Sequence, residues 1–182
     1  MDNSDTSSAM SLARPLNALF LVVVAGSLLA CEAAGTLAGG GARSDYVVAR
    51  QALERGNYPL AIRRYETLMA QIGAGESTRL QLEYAHSLLR ANRFDDAIQV
   101  AEPLAARNPD SIQASALAVR GTARHEAARQ AIERGEHAQA RVLLEAARGD
   151  LAAFLQSHAG MDAAGSMRAR AELIAADLRS LG

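Results

Sequence analysis

Apolar residues follow two regimes along the chain. Near the start they are nearly continuous, Leu16-Asn17-Ala18-Leu19-Phe20-Leu21-Val22-Val23-Val24-Ala25, followed by Gly26-Ser27-Leu28-Leu29-Ala30-Cys31. From residue 44 onward they recur every three or four positions, the spacing that keeps side chains on one face of an α-helix. Turn residues at Gly56, Asn92 and Gly135 interrupt this second pattern, and a new amphipathic run follows each. The pattern predicts two helices around each interruption and a last helix at about residues 163–180. That last helix carries the stripe Met167, Ala171, Ile174 and Leu178, with Arg168, Glu172 and Arg179 on the flank facing water.

The interruptions head similar segments. Gly56-Asn57-Tyr58-Pro59-Leu60-Ala61-Ile62 aligns with Asn92-Arg93-Phe94-Asp95-Asp96-Ala97-Ile98, about 36 residues further on. A weaker third copy, Gly135-Glu136-His137-Ala138-Gln139-Ala140, lies more than one period beyond, so the helix before it must be longer. These segments resemble the tetratricopeptide repeat, a pair of antiparallel helices of about 34 residues. Under that resemblance the first core set is Val48, Ala49, Ala52, Tyr58, Ala61, Tyr65 and Leu68. The second is Tyr84, Ala85, Leu88, Phe94, Ala97, Ala101 and Leu104, closed by Pro109; the third is Ala127, Ala128, Ala131, Ala140, Leu144 and Ala147. Asp45, Gln81 and Arg124 stand where the family has an early Trp. The implied fold is an all-α solenoid of helix pairs over residues 44–182, ended by a capping helix that covers the last core surface. Ser77, Ser111 and Asp162 stand where helix N-caps are wanted. Pro59 suits a first helical turn, whereas Pro103 removes a ladder bond inside a helix and should kink it.

Composition points the same way. Alanine makes up about a fifth of the 182 residues and aromatics 4%, which favours closely packed helices over sheets. Nineteen basic side chains, all arginine, oppose 20 acidic ones, so there is no basic excess for nonspecific nucleic-acid binding. A single cysteine excludes an internal disulfide and a cysteine-based zinc cluster.

That cysteine closes the only export-like segment. Arg14, an apolar run of about 14 residues and a small residue before a break form a bacterial export signal over residues 1–30. Asp2 and Asp5 fit a basic leader poorly, so Met10 is the better start. Leu28-Leu29-Ala30-Cys31 resembles the lipobox of bacterial lipoproteins, which implies a diacylglyceryl group on the Cys31 thiol and cleavage before it. An uncleaved anchor and a plain secretory signal are the alternatives. Glu32, rather than Asp, after the cysteine leans the sorting toward the outer membrane. Residues 31–43, rich in glycine, read as a flexible tether.

Nothing assembles into a catalytic, metal or cofactor motif. His86, His125, His137 and His158 are scattered, and Arg129 stands where a His-Glu-x-x-His helix starting at His125 needs its second histidine. Gly75-Glu76-Ser77-Thr78-Arg79 lacks the closing glycine of a nucleophile elbow. Asp95 and Asp96 sit at a helix start, where they favour the dipole. In the family that these repeats resemble, one face of each first helix lines a concave groove. Here that face carries Arg43, Tyr46, Arg50 and Glu54, then Arg79, Leu82, His86 and Arg90, then Thr122, His125, Arg129 and Glu133. Arginine forks suit carboxylates. The expected site is a basic peptide groove formed by Tyr46, Arg50, Arg79, Leu82, His86, Arg90, His125 and Arg129, taking an acidic or carboxylate-ended segment of another envelope protein. The plainer alternative is a solvated arginine face. The expected role is a non-enzymatic, membrane-anchored adaptor facing the periplasm, with no nucleic-acid partner. In layout it resembles the small lipoproteins that assist pilus and secretion-system assembly, the tight-adherence type among them. A scaffold that localises a cell-wall enzyme is the alternative.

Overall fold

The structure, a computed structural model, describes residues 40–72, 78–108 and 110–182. The leader, Cys31, Ser77 and Pro109 lie outside the described residues. The elements are α1 (Gly40–Glu54), α2 (Tyr58–Ile72), α3 (Thr78–Arg90), α4 (Phe94–Arg107), α5 (Asp110–Glu133), α6 (His137–His158), a 3-10 turn (Ala159–Met161) and α7 (Ser166–Ser180). Among the described residues, three helix pairs and a terminal helix make an all-α, tetratricopeptide-like solenoid, as the periodicity predicts. The long helix expected before the third copy is α5, of 24 residues.

The repeated turns share one backbone design. Gly56, Asn92 and Gly135 all adopt left-handed backbone, with φ of 77°, 59° and 76°. After each, the next amide reaches back five residues, Asn57 to the Ala52 carbonyl, Arg93 to Leu88 and Glu136 to Ala131, at 2.8, 2.9 and 2.8 Å. The left-handed residue donates its own N–H three residues back, to Leu53, Leu89 and Ile132 respectively. These paired bonds satisfy carbonyls left open at a helix end while the chain reverses. The similarity read along the sequence is therefore a similarity of hydrogen bonding.

Alanine sets the spacing between helices. Ala49, Ala61, Ala85, Ala97, Ala101, Ala128, Ala140 and Ala147 are fully buried, which lets backbones approach closely. Tyr65, Leu88, Leu144, Leu151 and Ile174 fill the volume between them. Of the core positions that fall within the described residues, only Val48, Tyr58 and Tyr84 are half-buried; the rest are buried. Buried residues group into successive clusters, from Ala49, Tyr65 and Leu80 at one end to Leu144, Leu151 and Ile174 at the other. Each layer thus packs on its neighbours, as in a one-dimensional array. α5 and α6 approach closely at Gly121, where an added Cβ would lie 2.9 Å from Leu151 Cδ2 and 3.1 Å from Asp150 Cβ.

Three local expectations are adjusted. Ser111 is the second residue of α5 rather than its cap, because the helix begins at Asp110. The terminal helix starts at Ser166 rather than 163, because a turn through left-handed Gly165 precedes it. Asp162 still caps it from a distance, accepting from the Met167 and Arg168 amides at 3.0 Å each and from the Ser166 hydroxyl at 3.2 Å. Residues 40–43, expected as the end of the tether, belong to the first turn of α1. Pro103 lies inside α4, which continues past it to Arg107.

Candidate functional site

The first helices of the second and third pairs, α3 and α5, flank a groove of about 660 Å³ that α7 walls on a further side. Residues spaced by three or four put Leu82, His86 and Leu89 of α3 on one wall, and Ala118 and Val119 of α5, each paired with Thr122, on another. Met167 and Arg170 come from α7, and Phe94 and Tyr58 complete the lining. Leu82, Ala118, Val119, Met167 and Phe94 give the groove an apolar lining. Glu83, Arg90, Glu126 and Arg170 supply its charge.

Of the expected site residues, the structure brings Leu82, His86 and Arg90 together in this groove. Part of the His86 surface reaches solvent, yet desolvation by the surrounding wall and the nearby Arg90 charge hold its pKa below the ordinary histidine value. Arg90 donates from Nε and Nη2 to the Tyr58 hydroxyl at 3.1 and 2.9 Å, and its guanidinium lies 5.5 Å from the Tyr58 ring centroid. Among the described residues it meets no carboxylate.

Tyr46, Arg50 and Arg79 do not line the groove but converge on Glu83 at its edge. Glu83 Oε1 accepts from the Tyr46 hydroxyl at 3.0 Å, from Arg50 Nη1 at 2.9 Å and from Arg79 Nε at 3.1 Å. Its Oε2 accepts from the Tyr65 hydroxyl at 3.0 Å. This carboxylate, only 12% exposed, gathers donors from α1, α2 and α3. Burial, then the Glu83 charge, raises the Tyr65 pKa, which keeps its hydroxyl a donor. Two of the five arginines on the first-helix face, Arg50 and Arg79, are therefore answered by Glu83 within the fold.

His125 is buried, with 1% exposure, and faces α7 rather than the groove. Its Nε2 lies 2.8 Å from Asp177 Oδ2, and its Nδ1 lies 3.1 Å from Arg170 Nη1. A guanidinium can only donate, so Nδ1 is the acceptor and the Nε2 proton is directed at Asp177. Arg170 Nη1 also donates to Glu126 Oε1 at 2.7 Å. Both ring nitrogens are thus occupied, and among the described residues no group of His, Cys, Asp and Glu could hold a metal ion. Arg129 is exposed on α5 and does not line the groove.

Sequence reasoning missed Glu83, Val119, Glu126, Met167 and Arg170. The four-residue spacing of Arg79 and Glu83 was a usable signal for one ion pair. Met167 had already been placed on the apolar stripe of the terminal helix, and setting that helix beside α5 would have shown His125 covered.

Residues 52–120, from within α1 into α5, match the tetratricopeptide repeat family. No curated protein and no solved structure gives a significant match to the chain. Tetratricopeptide repeats generally bind protein partners and act as scaffolds, and no catalytic family matches.

Proposed function

We propose that the protein is a lipid-anchored adaptor whose α3/α5/α7 groove holds a segment of another envelope protein. The observation that carries this reading is the apolar groove with one guanidinium, Arg90, that meets no carboxylate among the described residues. Because Glu83 engages Arg50 and Arg79 and Glu126 engages Arg170, the fitting segment is mainly apolar rather than strongly acidic. One carboxylate on it would meet Arg90 in a charge-assisted hydrogen bond. The lipobox-like Leu28-Leu29-Ala30-Cys31 supports anchoring at a bacterial membrane, and Glu32 favours the outer one. The adaptor would localise a component of an envelope machine such as a pilus or secretion system, without catalysis of its own.

Affinity purification from membranes in a mild detergent, followed by mass spectrometry, tests this. Pilus or secretion subunits lost on Arg90→Glu, with helical circular dichroism unchanged, support it; murein enzymes lost in the same way support the cell-wall scaffold instead. Co-purification unaffected by Arg90→Glu and Leu82→Arg contradicts the groove. For the anchor, the mature protein should carry a fatty adduct on Cys31, absent in Cys31→Ser.

A further inference from the structure

The groove wall formed by α7 is attached differently from α4 and α5. In α7 only Ile174 is fully buried, with Met167, Ala171 and Leu178 half-buried against the Leu144 and Leu151 core of α6, whereas α4 and α5 each bury several hydrophobes. It follows a 3-10 turn and left-handed Gly165. The contacts that bring it to α5 include a polar set: Asp177 and Arg170 on the two nitrogens of buried His125, and Arg170 on Glu126. Helical segments with little buried apolar surface open locally at lower free energy than the fold as a whole.

Arg170 belongs to both systems. It lines the groove, and it donates to His125 and Glu126. Met167, one turn earlier on α7, lines the groove as well. Any outward movement of α7 therefore breaks the polar set and removes part of the groove wall together.

We propose that α7 is a gate: a wall helix latched to α5 through His125, which opens as a unit and closes over the segment held in the groove. This rests on the reading that the groove holds a ligand. The latch is releasable because Asp177, Arg170 and Glu126 are partly exposed, at 32%, 25% and 28% of their side chains. Water replaces their lost partners when α7 leaves, so opening strands no charge in an apolar interior.

Hydrogen–deuterium exchange of the whole chain, read by peptide, tests the gate. In His125→Leu, amides of α7 should exchange about 10- to 100-fold faster, the loss of two hydrogen bonds whose partly exposed partners rehydrate, while α5 and α6 keep their protection. Arg170→Met, made from the α7 side, should give the same pattern. Loss of protection in α5 and α6 along with α7 in both variants, or no change in α7, overturns the latch. The ligand arm uses 1-anilinonaphthalene-8-sulfonate, whose rings suit the apolar lining and whose sulfonate suits Arg90. Its binding should be weakened by Leu82→Arg and should slow α7 exchange in the unaltered protein, because coupling between closure and binding is reciprocal. Binding that depends on Leu82 but leaves α7 exchange unchanged overturns the gate alone. No binding, or binding indifferent to Leu82→Arg, overturns the groove reading and the gate with it.

Discussion

Replacing Glu83 with alanine removes the carboxylate on which α1, α2 and α3 converge, and the cost can be worked from its partners. The Tyr65 hydroxyl belongs to a residue with 0% exposure, so losing its acceptor at 3.0 Å leaves a buried donor unsatisfied, at about 1–3 kcal/mol. Tyr46 is half-buried and contributes up to about 1 kcal/mol. The Arg50 and Arg79 side chains are 37% and 71% exposed, so they rehydrate and their ion pairs add little. The expected destabilisation is about 1–4 kcal/mol, with Glu83→Gln losing less because its amide oxygen still accepts one bond. Urea unfolding followed by far-ultraviolet circular dichroism measures it, and a cycle with Tyr65→Phe isolates the buried bond. Coupling of about 1 kcal/mol is expected between the two positions. A Glu83→Ala change within about 0.5 kcal/mol of the parent, or additivity with Tyr65→Phe, would refute the reasoning.

Further predictions concern the framework. Gly121→Leu should destabilise by about 1–3 kcal/mol in the same unfolding assay, because its Cβ already meets Leu151 and Asp150 at 3.1 Å or less. Two glycines with open space around them should respond with opposite signs. Gly149→Ala, within α6, should stabilise by about 0.5–1 kcal/mol, whereas Gly135→Ala, at φ 76°, should destabilise by about 1 kcal/mol. Asp162→Ala should weaken α7 at neutral pH. The hydrogen bond from the Met167 amide is the largest cause holding the Asp162 pKa below the usual aspartate value, with the Arg168 amide acting in the same direction. The contribution is therefore present above the unfolded value of about 3.9 and fades as pH falls through the lower folded one. Thermal melts of the parent and the variant should converge in strong acid; a difference that widens there contradicts the cap.

How far the sequence reaches depends on the separation of the interacting groups. The turns at Gly56, Asn92 and Gly135 were legible because left-handed backbone favours Gly and Asn and because each bond set is local. Burial of Ala49, Ala85 and Ala128 followed from helical period plus the resemblance to a known repeat. The net charge of the groove was not legible. Arg50 finds Glu83 33 residues away, and Arg170 finds Glu126 44 residues away, pairings set only when whole helices stack. His125 shows the same limit: it lies on the first-helix face as the period predicts, and α7 then covers that face. Counting arginines on a face measures supply, and the fold decides how many remain for a partner.

The central claim is that the α3/α5/α7 groove is where a partner protein is held. A photo-crosslinking amino acid placed in living cells at Val119, in the groove, and at Val142, 65% exposed on α6 and outside the groove, tests it most directly. A single discrete adduct to one envelope protein from position 119, absent from position 142 and abolished by Arg90→Glu, is the predicted result. Adducts of equal yield from both positions, or a 119 adduct that survives Arg90→Glu and Leu82→Arg, would contradict it.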